Sequence, residues 1–232
     1  MLNFIQDLIF PVFCQNCQKE GEYLCPDCLD LIDIPPLNFC PFCSPPRQSL
    51  DGKTCPGHQK EKHLDGLFFA ASYENPLVKK LIAAFKYPPY VKNLAKTLAS
   101  LVLRRLQFLE QELAIQNSAL IPVPLHKKRQ KQRGYNQSEE IAKELALTFK
   151  APLLKDVLIK TKAIQPQMEL SKEERKENIK SAFSIKSAED IKGKKIFLID
   201  DVFTTGSTVE ECAKILKEAG AQEVWAITIA RD

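Results

Sequence analysis

The residues best suited to chemistry lie near the C-terminus, in FLIDDVFTTGST, residues 197–208. An apolar run ends in two adjacent carboxylates, Asp200 and Asp201, which repel each other unless a bound group or nearby donors compensate them. Behind them, Thr204, Thr205, Gly206, Ser207 and Thr208 offer consecutive backbone N–H groups and four hydroxyls. A helical pattern, STVEECAKILKEAG, follows and adds the positive end of its dipole. A turn of this kind cradles a phosphate. It lacks the lysine of a P-loop, so a nucleoside triphosphate is not indicated. Two carboxylates just ahead of such a turn accept hydrogen bonds from sugar hydroxyls or assist a divalent cation. The combination suits a ribose 5-phosphate, whereas a lone strand-end aspartate capping a turn would explain one acid and not both.

A second chemical pattern occupies the N-terminal quarter. Seven of the eight cysteines fall within residues 14–55, in the order Cys14-x-x-Cys17, Cys25-x-x-Cys28, Cys40-x-x-Cys43 and Cys55-x-x-His58. Each knuckle presents two ligands on a tight turn, and two knuckles supply the four tetrahedral ligands of Zn²⁺. Sequential pairing gives one site from Cys14, Cys17, Cys25 and Cys28 and another from Cys40, Cys43, Cys55 and His58; an interleaved cross-brace is also compatible with the short loops. A disulfide framework fits poorly, because seven cysteines leave one unpaired and nothing marks the chain for export. Four protein ligands leave no open coordination position, so these sites are expected to fold the segment, not to catalyse. His63 falls outside the spacing and reads as a surface residue; Cys212, alone in a helical pattern, reads as a small packed side chain.

The elements that position these groups follow from periodicity. Up to about residue 63 regular patterning is poor and prolines cluster, as expected of a small loop-rich module over residues 1–63. From there the chain alternates strand-like and helical stretches over residues 64–232. GLFFAASY, ALIPVPL, DVLIK, KIFLID and EVWAITIA read as strands. PLVKKLIAAFKY, NLAKTLASLVLRRLQFLEQEL, NQSEEIAKELALTF and STVEECAKILKEAG read as helices, with Asn136 or Ser138 as an N-cap and Gly220 closing the last one. Strand–helix alternation predicts an α/β fold with a parallel sheet and right-handed crossovers. The charged stretch TKAIQPQMELSKEERKENIKSA, residues 161–182, reads as a long loop or an excursion with one short helix.

Charge is unevenly divided. The chain of 232 residues carries a net charge of +4, yet residues 1–63 hold 5 Lys/Arg against 8 Asp/Glu, so the basic excess lies in the second segment. Its densest part is Lys127, Lys128, Arg129, Lys131 and Arg133, five cations in seven positions without an acid. Such a run suits an anionic ligand, a nucleic-acid contact or a solvated patch. No apolar run approaches the roughly 20 residues of a membrane span. The N-terminal MLNFIQDLIFPVF has no basic start, so it reads as an amphipathic turn or a weak membrane-touching segment, and a cytoplasmic location is expected.

IFLIDDVFTTGSTVEEC resembles the signature of the type I phosphoribosyltransferases, which bind 5-phosphoribosyl-1-pyrophosphate (PRPP). IPVPLHKKRQKQRGYNQ is similar to the P-V-P-L-x-x-x-R-x-x-x-R-G-[FY]-N-Q pattern of the ComF/ComFC proteins, and QMELSKEERKENIKSAF to their Q-x-x-L-x-x-x-x-R-x-x-N-x-x-x-A-F. The double zinc ribbon ahead of the domain also belongs to that family, so the resemblance spans essentially the whole chain. It implies a type I phosphoribosyltransferase fold preceded by a zinc-ribbon module, and association with DNA uptake during natural transformation. Carried over residue by residue, Asp200 and Asp201 would contact the PRPP ribose, with Mg²⁺ bridging ribose and pyrophosphate. Val202, Thr204, Thr205, Gly206, Ser207 and Thr208 would hold the 5-phosphate side. Lys127, Lys128, Arg129 and Arg133 would meet the pyrophosphate. Gln167, Arg175 and Asn178 match the family pattern as a candidate lid. Tyr135 would stack on a base or pack beneath the basic segment. The chain departs from the family at His58, where cysteine is commoner, and at Ile164, where a small polar residue is expected.

Two functions of different class follow. The chain is a PRPP-binding protein that handles single-stranded DNA, or an active PRPP-dependent transferase whose acceptor is a nucleobase or another salvage substrate. The zinc module would serve as a docking piece for DNA-import machinery. Replacing Lys127, Lys128, Arg129 and Arg133 together by alanine is expected to weaken single-strand binding and flatten its dependence on salt. A fluorescence-anisotropy salt series checks this, and an unchanged affinity removes the segment from any nucleic-acid role.

Overall fold

The computed structural model describes residues 11–111, 113, 117–161 and 182–232. Its main sheet has four parallel strands in the order β1-β6-β5-β2: β1 (Gly66–Ser72), β2 (Ser118–Pro122), β5 (Lys195–Phe203) and β6 (Glu223–Arg231). The two central strands, KIFLIDDVF and EVWAITIAR, are near-continuous apolar runs because both faces of a parallel sheet are covered. On one face, Phe197, Ile199, Trp225, Ile227 and Ile229 pack with helices α3 (Pro76–Lys86), α4 (Leu94–Phe108) and α6 (Gln137–Phe149). On the other, Ile196, Leu198, Val224 and Ala226 pack with helix α7 (Ser207–Glu218) and a small antiparallel pair, β3 (Leu158–Lys160) with β4 (Phe183–Ile185).

The helices begin where local chemistry allows. Asn75 caps α3, its side chain accepting from the backbone N–H groups of Leu77 and Val78 at 3.0 and 3.2 Å, and Pro76 occupies the first turn without an N–H to lose. Leu77, Val78, Leu81, Ile82 and Phe85 then form its buried stripe. Asn136 caps α6 by accepting from Ser138 N, and its own amide donates to Val123 O at 3.1 Å. The stretches GLFFAASY, ALIPVPL, KIFLID and EVWAITIA, read as strands, all contribute to the parallel sheet, and the third runs on through the acids to Phe203. DVLIK does form a strand, but in the separate pair with β4. The basic run is not a loop: Lys127–Arg133 is a short helix, α5, ended by Gly134 at φ 86°. Its Lys, Arg and Gln residues are good helix formers, and glycine tolerates the left-handed C-terminal position.

The cysteine segment folds against this framework. It contains two single-turn helices, α1 (Pro26–Leu29) and α2 (Pro56–Gln59), each opening at a cysteine followed by proline. Cys14, Leu24, Cys25, Cys28 and Ile32 are buried in the same apolar core as α3 and α4. Arg105 clamps the connection. It sits in the apolar stripe of α4 with no exposed surface. Its guanidinium donates to Pro35 O at 3.1 Å, Leu37 O at 2.7 Å and Asn38 Oδ1 at 3.0 Å, and also to Phe69 O on β1. Burial lowers its pKa to about 10, so it stays cationic at neutral pH and every acceptor depends on it.

Arg105→Met is expected to leave these acceptors buried without a donor and to lower stability by roughly 3 kcal/mol or more. Arg105→Lys should recover little, since one ammonium cannot reproduce the planar fork. Urea denaturation of the two variants checks this; near-native midpoints would show that the clamp contributes little.

Candidate functional site

β2 and β5 run side by side, with Pro122 opposite Ile199 and Val123 N donating to Ile199 O at 2.9 Å. The chain leaving β2 toward α5 and the chain leaving β5 toward α7 therefore emerge at the same, carboxyl end of the sheet, where open α/β sheets bind ligands. This topology brings the basic segment, Asp200, Asp201 and the Thr204–Thr208 turn to one edge. β5 continues past the acids to Phe203, so the aspartates lie within the strand, Asp200 opposite Thr228, and not beyond its end.

The two acids have different environments. Asp201 is 3% exposed, and Lys86 Nζ, at the C-terminal end of α3, lies 2.8 Å from its Oδ1. Its Oδ2 is buried without a hydrogen-bond partner among the described residues. Asp200 Oδ1 accepts from Ser138 Oγ and from Asp201 N, both at 2.9 Å. Burial and the Asp201 charge push the Asp200 carboxyl up to about 7, against the opposing pull of Lys86. Burial alone would push Lys86 down, but Asp201 outweighs it and the ammonium is held above its ordinary value. Lys160, on β3, is pushed down by burial and by the charge of Arg129, while Asp200 works in the opposite sense; its Nζ lies 5.0 Å from the Phe183 ring centre. Arg129 on α5, Lys160 on β3 and Asp200 on β5 thus share an electrostatic neighbourhood.

The turn after β5 is open. Thr204 and Thr205 are exposed and Ser207 and Thr208 are half-buried. Thr205 Oγ1 and Ser207 Oγ lie 2.9 Å apart. Gly206, at φ 72°, is the N-cap of α7 and has no side chain to cap it; Ser207 N–H donates to Thr205 Oγ1 at a long 3.4 Å. A Cβ on Gly206 would stand 2.4 Å from the Phe203 ring, which requires glycine there independently of φ. Val202 is partly buried, pairs with Ala230 and packs on the α3–α4 side of the core.

Some residues are placed differently from their sequence reading. Tyr135 packs: it is 6% exposed, its ring lies 5.4 Å from that of Phe85, and its hydroxyl donates to Phe85 O, so it is not offered to a base. His63 is half-buried, with Nδ1 3.0 Å from Glu210 Oε1 on α7, and the backbone N–H groups of His63 and Leu64 also donate to Glu210. Cys212 is fully buried, as expected of a packed side chain. Gln167, Arg175 and Asn178 lie outside the described residues. Lys86 and Ser138 were not identified as site residues from the sequence. Lys86 merely follows the last apolar position of α3, and Ser138 reads as a capping alternative to Asn136. Only the fold brings both to the aspartates.

The cysteines gather in two sets of four, Cys14, Cys17, Cys25 and Cys28, and Cys40, Cys43, Cys55 and His58, each with its ligand atoms within 4.8 Å of one another. The grouping is thus sequential and not interleaved. Measured edges include Cys17–Cys25 Sγ at 3.6 Å, Cys43–Cys55 Sγ at 3.7 Å and Cys43 Sγ–His58 Nδ1 at 3.7 Å. A tetrahedron with metal–sulfur bonds of about 2.3 Å has edges of about 3.8 Å, so both sets can hold such an ion. Asn16 Nδ2 and Cys55 N donate to ligand sulfurs of the first and second sets. The second set leans on the site: Phe42 lies beside His58, 6.0 Å between ring centres, and meets Phe203 edge-on at 6.4 Å.

Residues 133–232 match the phosphoribosyl transferase domain family. Over the whole chain, similarity is 30% identity across 220 residues to Competence protein F of Haemophilus influenzae, covering 94% of this chain and 90% of that protein. It is 30% across 194 residues to the DNA utilization protein YhgH of Escherichia coli K12, covering 82% and 83%. It is 28% across 218 residues to Competence protein ComFC of Streptococcus pneumoniae, covering 92% and 90%. Among solved structures, a glutamine PRPP amidotransferase from B. subtilis superposes with a TM-score of 0.35 at 22% identity, over 59% of this chain and 25% of that one, too partial a match to argue from.

Asp200 generates a prediction about pH. Its pKa is raised on folding, from an ordinary 3.8 to about 7, so the unfolded chain binds fewer protons than the folded one across that window. Stability should therefore fall as pH rises from about 4 to about 7 and level off above. Asp200→Asn is expected to remove this slope and to be more thermally stable than wild type at and above pH 7. Parallel wild-type and variant melting profiles across pH 4–8 would refute this.

Proposed function

We propose that this chain, which belongs to the competence protein F (ComF) family, binds PRPP at the carboxyl end of β5 and acts in the cytoplasmic handling of single-stranded DNA during its uptake. The observation that carries the reading is Oδ2 of Asp201, a buried acceptor without a donor among the described residues. Beside it lie the Asp200–Ser138 pair and the uncapped start of α7. A sugar hydroxyl supplies what Oδ2 lacks, and a 5-phosphate suits the backbone N–H groups and exposed hydroxyls of the Thr204–Thr208 turn. Lys127, Lys128, Arg129 and Arg133 have no carboxylate partner among the described residues, and their charge suits the pyrophosphate. The names of the relatives, competence and DNA utilization proteins, support the DNA-uptake setting.

Mg²⁺ would accompany PRPP and offset the charge of the pyrophosphate, with Asp200 and Asp201 as the carboxylates available to assist it. Zn²⁺ fits both four-ligand sets by donor type and spacing, in a structural role that closes its coordination sphere. No helix among the described residues is long and apolar enough to cross a membrane, and the zinc module is the proposed docking piece for import machinery.

Turnover is the second reading, favoured by that same unpaired basic segment, which is poised to receive a leaving group. An acceptor nitrogen would attack C1 of the ribose. The C1–O bond would break, pyrophosphate would leave with the electron pair, and the acceptor proton would pass to solvent. Charge in the oxocarbenium-like transition state would be met by the two aspartates.

Calorimetric titration with PRPP and Mg²⁺ tests the site. Wild type is expected to bind, and Asp200→Asn/Asp201→Asn to bind about 100-fold or more weakly. Wild-type affinity in the double variant would remove the aspartates from the site. Pyrophosphate release on adding nucleobases or oligonucleotides separates turnover from binding alone. Elemental analysis should return two zinc ions per chain.

A further inference from the structure

A cavity of about 270 Å³ opens beside the aspartates, lined by Lys86, Tyr87, Tyr90, Arg129, Gln132 and Arg133. Its size is near the lower end of small-ligand sites, roughly 300 Å³. The inner wall is Lys86, anchored on Asp201 at 2.8 Å. One side is the turn after α3. There Tyr90 N donates to Tyr87 O at 2.7 Å and Val91 N to Ala84 O at 2.9 Å, and Tyr90 takes a left-handed backbone at φ 55°. The opposite side is α5. Tyr87 is 60% exposed, an unusual amount for an aromatic ring next to a cationic helix, whereas Tyr90 is half-buried against the core. Arg133 is oriented by Gln137 Oε1, to which it donates, and Arg129 has no carboxylate partner among the described residues.

The lining is chemically mixed in a way that limits its ligand. Phosphate alone would use the cations and leave the tyrosines idle. An apolar molecule would use the tyrosines and leave Arg129 and Arg133 unanswered. PRPP, proposed above to occupy the neighbouring aspartate site, has phosphates but no flat π-face. A ligand carrying both an aromatic ring and an anion satisfies every wall. We propose that this cavity is a nucleotide subsite adjoining the PRPP position, which it meets at Lys86 and with which it shares the arginines of α5, Arg129 and Arg133. The base lies against Tyr87, with Tyr90 at the edge, and the phosphate meets Arg129 and Arg133. Stacking on an exposed aromatic is tolerant of base identity, and adjacent cations track the backbone of a strand. The position beside the sugar site rests on the PRPP reading; the nucleotide chemistry of the cavity does not. The same chemistry is offered by a free nucleoside monophosphate and by one residue of a single strand.

Two probes at fixed ionic strength test this: a labelled short oligothymidylate followed by anisotropy, and thymidine 5′-monophosphate followed by calorimetry. PRPP binding is measured alongside on the same full-length, metal-loaded protein. Tyr87→Ala is expected to weaken nucleotide binding by about 5- to 100-fold. Tyr87→Phe should stay close to wild type, because it keeps the ring, and PRPP affinity should stay unchanged in both. Tyr87 dependence with the monophosphate identifies a free nucleotide as a ligand; dependence confined to the oligomer identifies a strand, and either result supports the subsite. The proposal is overturned if neither probe depends on Tyr87, if phenylalanine fails as badly as alanine, or if PRPP affinity falls in parallel. Wild-type protein that ignores PRPP yet binds nucleotide through Tyr87 would defeat the PRPP reading and leave the subsite standing.

Discussion

Asp201 carries a carboxylate into the interior on a central strand, and Lys86 answers it at 2.8 Å. An ion pair in such a place gains little net stability, because both charges lose their water, but removing either partner would leave the other buried and uncompensated. The pair therefore constrains what surrounds it. Lys86 must end α3 at that point, which sets the turn carrying Tyr87 and Tyr90. The charge on Asp201 in turn raises the pKa of Asp200, which is steadied by Ser138 and by the backbone N–H of Asp201 itself. Ser138 is available because Asn136, and not Ser138, caps α6. One buried anion thus orders two helices and a turn around the carboxyl end of β5.

The cysteine segment is tied to this edge by contacts that do not involve the metal ligands' own coordination. Glu210, in the first turn of α7, receives the backbone N–H groups of His63 and Leu64 and the His63 ring. Arg231, at the end of β6, donates to Cys40 O at 3.2 Å. Phe42 bears on Phe203, whose ring lies under Gly206. Arg105 fastens the intervening segment through Pro35, Leu37 and Asn38. The folded cysteine segment and the open turn that begins α7 share packing, so order in one supports the geometry of the other.

Much of this was legible along the chain. The apolar runs of the central strands, the i, i+3, i+4 stripes of α3 and α6, the capping asparagines and the paired C-x-x-C knuckles are local signals, and each element formed where its pattern lay. The acids and the Thr-Gly-Ser turn were likewise readable, since strand, turn and helix are contiguous there. The basic run was visible as charge but not as a helix, because seven polar residues have no apolar stripe to reveal one. Tyr135 was ambiguous for a related reason: an aromatic residue at a helix entry serves a ligand or a core equally well, and only Phe85, 50 positions away in sequence, decided for the core.

The residue types and their spacing by themselves determined the alternation of elements, the eight candidate metal ligands and the polar groups at the end of β5, while the fold decided which four ligands stand together. Tertiary structure alone decided which groups meet. Lys86 reaches Asp201, Ser138 reaches Asp200, Glu210 holds His63, Arg105 spans from β1 to the cysteine segment, and Tyr87 faces Arg129 across a cavity. These pairings join positions tens to more than a hundred residues apart. No local periodicity encodes such partners. They follow from the order β1-β6-β5-β2, which sets the carboxyl ends of strands distant in sequence side by side.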